Sequence, residues 1–246
     1  MYGTKVDGEP LVNEESKVLD GTEHSFNLGR YQPAFTVSWR PVIFSFALPS
    51  RDKKEKKITA HRQSKVEKYD MKTLESLIPF TTHVIAAKRN TSIGLQALIN
   101  GRYIVTEDYL NAVAKACEPT DEGKSPLEED FEKYWPHELE YLPPTSSEPN
   151  PRGKEWFAPK PERLTVFDGW TMIFCEKVQY ENFIGPITDG GGKLERFDLI
   201  PGQTTARELV DFVEKRDKGS TAVVRFRGKG DTEQWCAELS TQVSEM

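Results

Sequence analysis

The segment Ala34-Phe35-Thr36-Val37-Ser38-Trp39 alternates apolar and polar residues with period two, which predicts a half-buried strand. Before it, Gly3, Gly8, Gly21 and Gly29 punctuate short segments of the same character, and almost no helical pattern occurs ahead of Pro49. From residue 41 the period changes. An apolar strand, Val42 to Leu48, is followed by a helix over Ile58–Lys68 and a strand over Asp70–Ser76. Thr82 to Ala87 predicts a short buried strand. Thr91 to Asn100 predicts a helix, capped by Thr91 and stopped by Asn100-Gly101. Tyr103-Ile104-Val105 reads as a strand. Thr106 then caps a helix to Cys117, with Tyr109, Leu110, Val113 and Ala116 at helical spacing. The order β-α-β-β-α-β-α predicts a small layered α/β domain with a mostly parallel sheet.

A second α/β pattern starts near Arg163. It predicts a strand within Val166–Cys175 that ends at Phe174, strands over Leu194–Leu199 and Thr221–Phe226, and helices over Lys177–Ile184, Ala206–Lys215 and Asp231–Val243. Gly190-Gly191-Gly192 makes a sharp turn between helix and strand, where positive φ is needed. Between the two patterns, residues 119–161 hold nine of the sixteen prolines and read as a linker. Phe131, Tyr134, Trp135, Tyr141 and Leu142 are its expected anchors on a neighbouring domain. The organisation is therefore 1–40, a strand-rich segment; 41–118, a first α/β domain; 119–161, an acidic proline-rich linker; and 162–246, a second α/β domain.

Composition narrows the function classes. Hydrophobic residues make up 37% of the chain, below the usual ~45–50%. Yet five Trp, eight Tyr and thirteen Phe supply enough apolar mass for real cores and exclude wholesale disorder. No run approaches a membrane span, the N-terminus lacks the pattern of a signal peptide, and Cys117, Cys175 and Cys236 form no disulfide framework. A soluble protein of a reducing compartment is expected. The net charge of −6 is uneven: residues 1–118 hold 17 basic against 14 acidic side chains, residues 119–161 hold 5 against 10, and residues 162–246 hold 11 against 15. No block has the footprint of a protein that grips duplex DNA through many phosphates.

Candidate chemistry is sparse. The glycine triplet fails the nucleotide-loop pattern, because Lys193 is not followed by Ser or Thr. No Cys/His spacing matches zinc, no nucleophile elbow occurs, and no cofactor is implied. His83 sits in a buried strand pattern and reads as a core or hydrogen-bonding residue; Phe226 and Trp235 read as core. The basic run Arg51 to Lys57 is either a solvated segment or an anion contact.

The residues also carry a resemblance. Tyr2-Gly3-Thr4-Lys5-Val6-Asp7-Gly8 resembles a turn in the second half of a forkhead-associated (FHA) domain, with Asp7 where that family has Asn. Thr81 to Ala86 with Ala97 to Val105 resembles a BRCT domain. Phe167 to Phe174 with Gly190-Gly191-Gly192-Lys193 resembles the start of a second one. A partial FHA domain followed by tandem BRCT domains is similar to the nibrin family, the regulatory subunits of the MRN DNA-break-repair complex. Ser125 to Phe131 and Trp135-Pro136 resemble the linker of its fungal members.

The resemblance implies a fold: the C-terminal half of an FHA β-sandwich, then two BRCT α/β domains with parallel sheets flanked by helices. It implies a non-enzymatic scaffold that reads phosphoproteins of the DNA damage response in the nucleus, at chromosome breaks and in checkpoint signalling. The nuclease and ATPase subunits of the complex would be reached through segments outside this sequence; membranes and strong direct DNA binding are not expected. The family's BRCT phosphate site takes a Ser or Thr after the first strand and a Lys at the second helix. On this chain that implies Ser50 and Arg51, with Lys88 and Arg89 replacing the Lys, whose position falls at or next to Ile93. Thr4 is the remnant of the FHA phosphothreonine site, whose main residues lie in the half that would precede Met1. The competing reading leaves these as ordinary surface residues of an adaptor that does not recognise phosphate. Half a sandwich also predicts that residues 1–40 are loosely held.

Overall fold

The computed structural model describes residues 3–11, 16–46, 56–145, 150–216, 220–228 and 230–245. They form two compact units, 1–42 and 43–246.

The N-terminal unit is one antiparallel sheet of β1 (Thr4–Val6), β2 (Glu9–Leu11), β3 (Glu23–Leu28) and β4 (Phe35–Ser38), in the order β2-β1-β3-β4. Asp7 and Gly8 join β1 to β2 with φ of 53° and 84°. Two successive positive φ values define the hairpin turn whose twist matches its strands, and Asp-Gly is a favoured pair there. The Asp7 carboxylate accepts the Ser25 N–H at 2.8 Å and lies 2.9 Å from His24 Nδ1, which ties the turn to β3. The register sets Val6 opposite Phe26, Phe26 opposite Phe35, and His24 opposite Val37. One face is therefore apolar and the other, with Lys5, Asn27, Ser25 and Thr36, polar. Yet Leu28, Phe35 and Val37 on the apolar face are about half exposed. The expected half-buried strand over Ala34–Trp39 forms, but all four β4 residues are exposed.

The first α/β domain comprises β5 (Ile43–Phe46), α1 (Lys56–Val66), β6 (Lys72–Leu74), β7 (His83–Ile85), α2 (Ser92–Ile99), β8 (Tyr103–Val105) and α3 (Glu107–Cys117). Its sheet is all parallel, in the order β6-β5-β7-β8. A central parallel strand is covered on both faces, so every residue of β7 is buried. On one face Phe44 and His83 meet Tyr109 of α3. On the other, Val84 and Ile104 pack with Ala97 and Ile93 of α2. Arg62 of α1 grips Glu107 of α3 through two hydrogen bonds, at 3.2 and 2.7 Å.

The linker is more structured than its composition suggests. It holds α4 (Pro126–Glu129) and α5 (Phe131–Tyr134), followed by 3-10 turns at Glu138–Tyr141, Lys154–Phe157 and Pro161–Thr165. Ser125 and Glu128 form a reciprocal capping box and Asp130 caps α5, so local side-chain acceptors hold helices too short to persist alone.

The second α/β domain comprises β9 (Thr171–Phe174), α6 (Lys177–Asp189), β10 (Lys193–Arg196), α7 (Ala206–Glu214), β11 (Thr221–Val223) and α8 (Glu233–Glu245), with a parallel sheet in the order β10-β9-β11. Its core gathers Cys175, Ala206, Leu209, Phe226, Cys236 and Leu239. Three boundaries depart from the sequence reading. The strand expected over Leu194–Leu199 ends at Arg196, whereas the one expected within Val166–Cys175 runs over Thr171–Phe174 and ends at Phe174 as the sequence suggests. The strand over Thr221–Phe226 ends at Val223. The helix expected to stop at Ile184 runs to Asp189 through Pro186, which is buried. The triplet is a turn: Gly191 has a φ of 85°, and a Cβ there would lie 1.7 Å from Asp168 Oδ1.

Candidate functional site

Of the residues proposed to recognise phosphate, Lys88 and Arg89 are the two described in the first α/β domain. Ser50 and Arg51 lie outside the described residues. Thr4 is in β1, where it pairs with Leu11 and Leu28. Lys88 and Arg89 follow β7 at the carboxyl ends of the parallel strands, the usual ligand side of such a sheet. They point differently. Lys88 is exposed. Arg89 is 6% exposed, and its guanidinium stacks on the Phe157 ring at 4.2 Å. Its backbone is equally committed: a Cβ on Gly94 would lie 2.3 Å from the Arg89 carbonyl oxygen, so the first turn of α2 passes that close only because residue 94 is glycine. Arg89 thus secures the linker against the first domain.

The N-terminus of α2 is also engaged. The Thr91 hydroxyl accepts the Gly94 N–H at 3.1 Å, as the sequence predicted for the cap. Ile93 packs into the apolar cluster around Val84, so no cation stands at that position. Ser92 Oγ donates to the carbonyl of Asn182 in α6 at 2.5 Å.

That last bond belongs to a second site, the junction of the two α/β domains, where α2 lies against α6. Asp189 Oδ2 at the end of α6 accepts from Gln96 Nε2 at 2.8 Å and from Asn100 Nδ2 at 2.5 Å. Gly185 of α6 leaves room for Gln96, whose side chain would meet a Cβ there at 2.8 Å. Polar side chains at i and i+4 of α2 thus converge on one carboxylate across the junction.

A third site is a buried polar cluster joining β7, α3 and the linker. Glu138 Oε1 accepts from Tyr109 OH at 3.1 Å and from Trp135 Nε1 at 3.0 Å, and lies 3.5 Å from His83 Nε2. His83 Nδ1 is 2.8 Å from Thr82 Oγ1, and its ring stacks between Tyr103 and Tyr109. Burial pushes the Glu138 carboxyl up, but hydrogen bonds from His83 and Trp135 outweigh it and hold its pKa down at about 2. Burial and the same carboxylate push the Tyr109 phenol up. The hydrogen-bonding role expected for His83 is what the structure shows. Of the expected linker anchors, Trp135 reaches the cluster and Tyr141 packs edge-on to Tyr109. Phe131 stacks on Trp135 but remains about half exposed. The role of Glu138 was not legible as such, because nothing separates it in sequence from the other acids of the linker.

Among the described residues no group of three or more His, Cys, Asp or Glu side chains is placed to hold a metal, and no helix is long and apolar enough to cross a membrane.

Residues 161–246 match the family model of the second BRCT domain on Nijmegen syndrome breakage protein. The whole chain is similar to the solved structure of the S. pombe Nbs1 FHA-BRCT1-BRCT2 domains, with 14% identity and a TM-score of 0.56, covering 100% of this chain and 75% of that one. A second structure, of the S. pombe Nbs1 FHA/BRCT-repeat domain, gives 12% identity and a TM-score of 0.53, covering 99% and 75%. At these identities the two structures establish the fold, an FHA-type sheet followed by two BRCT domains. The family match covers the last third of the chain, the second of these two domains.

Proposed function

We propose that this chain is a non-enzymatic adaptor that binds phosphorylated proteins of the DNA damage response in the nucleus and serves double-strand-break repair and checkpoint signalling. The observation that carries the reading is the fold of the whole chain together with the nibrin-type second BRCT domain. Phosphate recognition centres on the first BRCT domain. Lys88 is an exposed cation at the carboxyl ends of its strands; Ser50 and Arg51, outside the described residues, are the remaining donors in this reading. A charge-assisted hydrogen bond to a phosphate oxygen gives each such contact its strength. Arg89, held under Phe157, fixes the path of the chain beside Lys88 rather than meeting the ligand. The nuclease and ATPase subunits of an MRN-type complex are partners of the wider assembly, and DNA itself is not gripped by a chain of net charge −6.

The α2 N-terminus favours a second reading, an adaptor that docks partners without recognising phosphate. The N–H groups of a helix N-terminus are a natural anion site, but here Thr91 takes that of Gly94, the Ser92 hydroxyl is tied to Asn182, and Ile93 packs against the core. Titration of the chain with acidic Ser/Thr peptides, phosphorylated and not, separates the two. The first reading expects binding that requires the phosphate; the second expects equal binding by both forms or none.

A further inference from the structure

The N-terminal sheet is a single layer with two unlike faces. Strand pairing sets Val6, Phe26, Leu28, Phe35 and Val37 on one face, and Lys5, Ser25, Asn27, Thr36 and Ser38 on the other. The apolar row runs on past β4. The Trp39 N–H donates to the Thr22 carbonyl at 2.6 Å, which keeps the alternation, and the Tyr31 ring stacks on Phe35 with centroids 5.4 Å apart. Val6 is buried, but the half of the face over β3 and β4 is open: Leu28, Tyr31, Phe35, Val37 and Trp39 are each between 46% and 57% exposed. A sheet with one apolar face is normally covered by a second packed layer.

Charge and area identify that layer. His24, opposite Val37 on the apolar face, is held by Asp7 at 2.9 Å. Among the described strand residues, Glu9 is the other titratable side chain that the register sets on this face, and it stands on the outer strand β2, away from the open half. Arg30 and Arg40 lie past the ends of β3 and β4, outside the paired rows. The open half therefore offers no charge by which to select a partner of unlike chemistry, and none that repels its own copy. An aromatic side chain covers about 150–250 Å² when buried, so the exposed halves of these five side chains amount to on the order of 450 Å². Exposed apolar patches of a few hundred Å² mark interaction sites. Two such patches face to face bury about 900–1,000 Å² in total, the lower limit of a specific interface and the range of weak, reversible ones. Apolar rows of a sheet interdigitate with the same rows turned about a two-fold axis, which closes the contact at two copies.

We propose that this chain forms a two-fold dimer in which the Leu28, Tyr31, Phe35, Val37 and Trp39 faces of two N-terminal sheets pack on one another, each copy supplying the second layer of the other. The association needs nothing from the site at Lys88.

The test is sedimentation equilibrium of the full chain from about 1 µM to about 200 µM, the range that brackets a contact of this size. The mass is expected to rise from one chain to two and to stop there. Val37→Lys weakens the dimer at least about tenfold, because the symmetry removes two buried apolar side chains and sets two like charges in one contact. Thr36→Lys adds the same charge at the neighbouring exposed residue of β4, on the opposite face, and leaves the dimer unchanged. Trp39→Lys, beyond the end of β4, is a second disruptive variant, and the amide NMR signals of Ser25 and Asn27 report that the sheet persists in each chain. Three results overturn the proposal. The first is the mass of one chain throughout the range with the sheet formed. The second is a dimer that survives both Val37→Lys and Trp39→Lys, or that Thr36→Lys weakens as much. The third is growth beyond two chains, which marks pairing through the open strand edges rather than the face. Failure here leaves the phosphopeptide reading at Lys88 standing, and failure of that reading leaves the dimer standing.

Discussion

Glu138→Gln tests whether the buried cluster holds the linker on the first BRCT domain. The Glu138 side chain is 14% exposed and its pKa lies at about 2, against 4.5 for an ordinary glutamate. At 1.36 kcal/mol per unit, the charged form contributes about 3 kcal/mol to the folded state, as an upper estimate. Because the folded pKa is depressed, this stabilisation is complete above pH 4.5 and is lost as pH falls from there toward about 2. Gln keeps an acceptor for Tyr109 and Trp135 but removes the charge, so near neutral pH the variant is less stable by about 1–3 kcal/mol. The deficit shrinks as the solution is acidified toward pH 2. Native-state hydrogen exchange at Val84 and Ile104 reads the free energy of opening of this domain alone. Equal opening free energies for the two chains at neutral pH, or a deficit that does not change on acidification, would refute the reasoning.

Other predictions follow from single contacts. Asp189→Ala removes the shared acceptor of Gln96 and Asn100; it costs about 1–2 kcal/mol and speeds exchange in α2 and α6 while Val84 stays protected. Gly191→Ala places a methyl group against Asp168 at a φ of 85° and lowers the stability of the second domain by about 1–3 kcal/mol, measured by urea unfolding. Amides of β4, an edge strand with all four residues exposed, exchange faster than those of β7; equal protection would contradict a loosely held N-terminal sheet.

What was legible in the sequence was what local pattern controls. The parallel strands around Val84 and Ile104, the α3 stripe from Tyr109 to Ala116, the Thr91 cap and the glycine turn at residues 190–192 all depend on near neighbours in sequence. Segments set by distant partners were not legible. The linker reads as proline-rich coil with aromatic anchors, and Trp135 and Tyr141 do dock, but nothing in the pattern singles out Glu138 as the partner of Tyr109 or Phe157 as that of Arg89. Arg89 illustrates the limit at the site: beside Lys88 in sequence it looks like a second surface cation, but an aromatic ring from far along the chain covers it. The exposed apolar face of the first sheet agrees with the alternation at Phe35 and Val37, which indicates which side chains share a face but not whether anything covers it.

The proposed function, reading of phosphorylated partners through the first BRCT domain, is tested most directly by titrating wild type and Lys88→Glu with matched acidic peptides, phosphorylated and unphosphorylated. The substitution is confined to Lys88 because reversing buried Arg89 would disturb the Phe157 contact as well. The account predicts binding that requires the phosphate in the wild type and is lost in Lys88→Glu, with the fold of both chains unchanged. Binding indifferent to phosphorylation, or phosphate-dependent binding that survives Lys88→Glu, would contradict it.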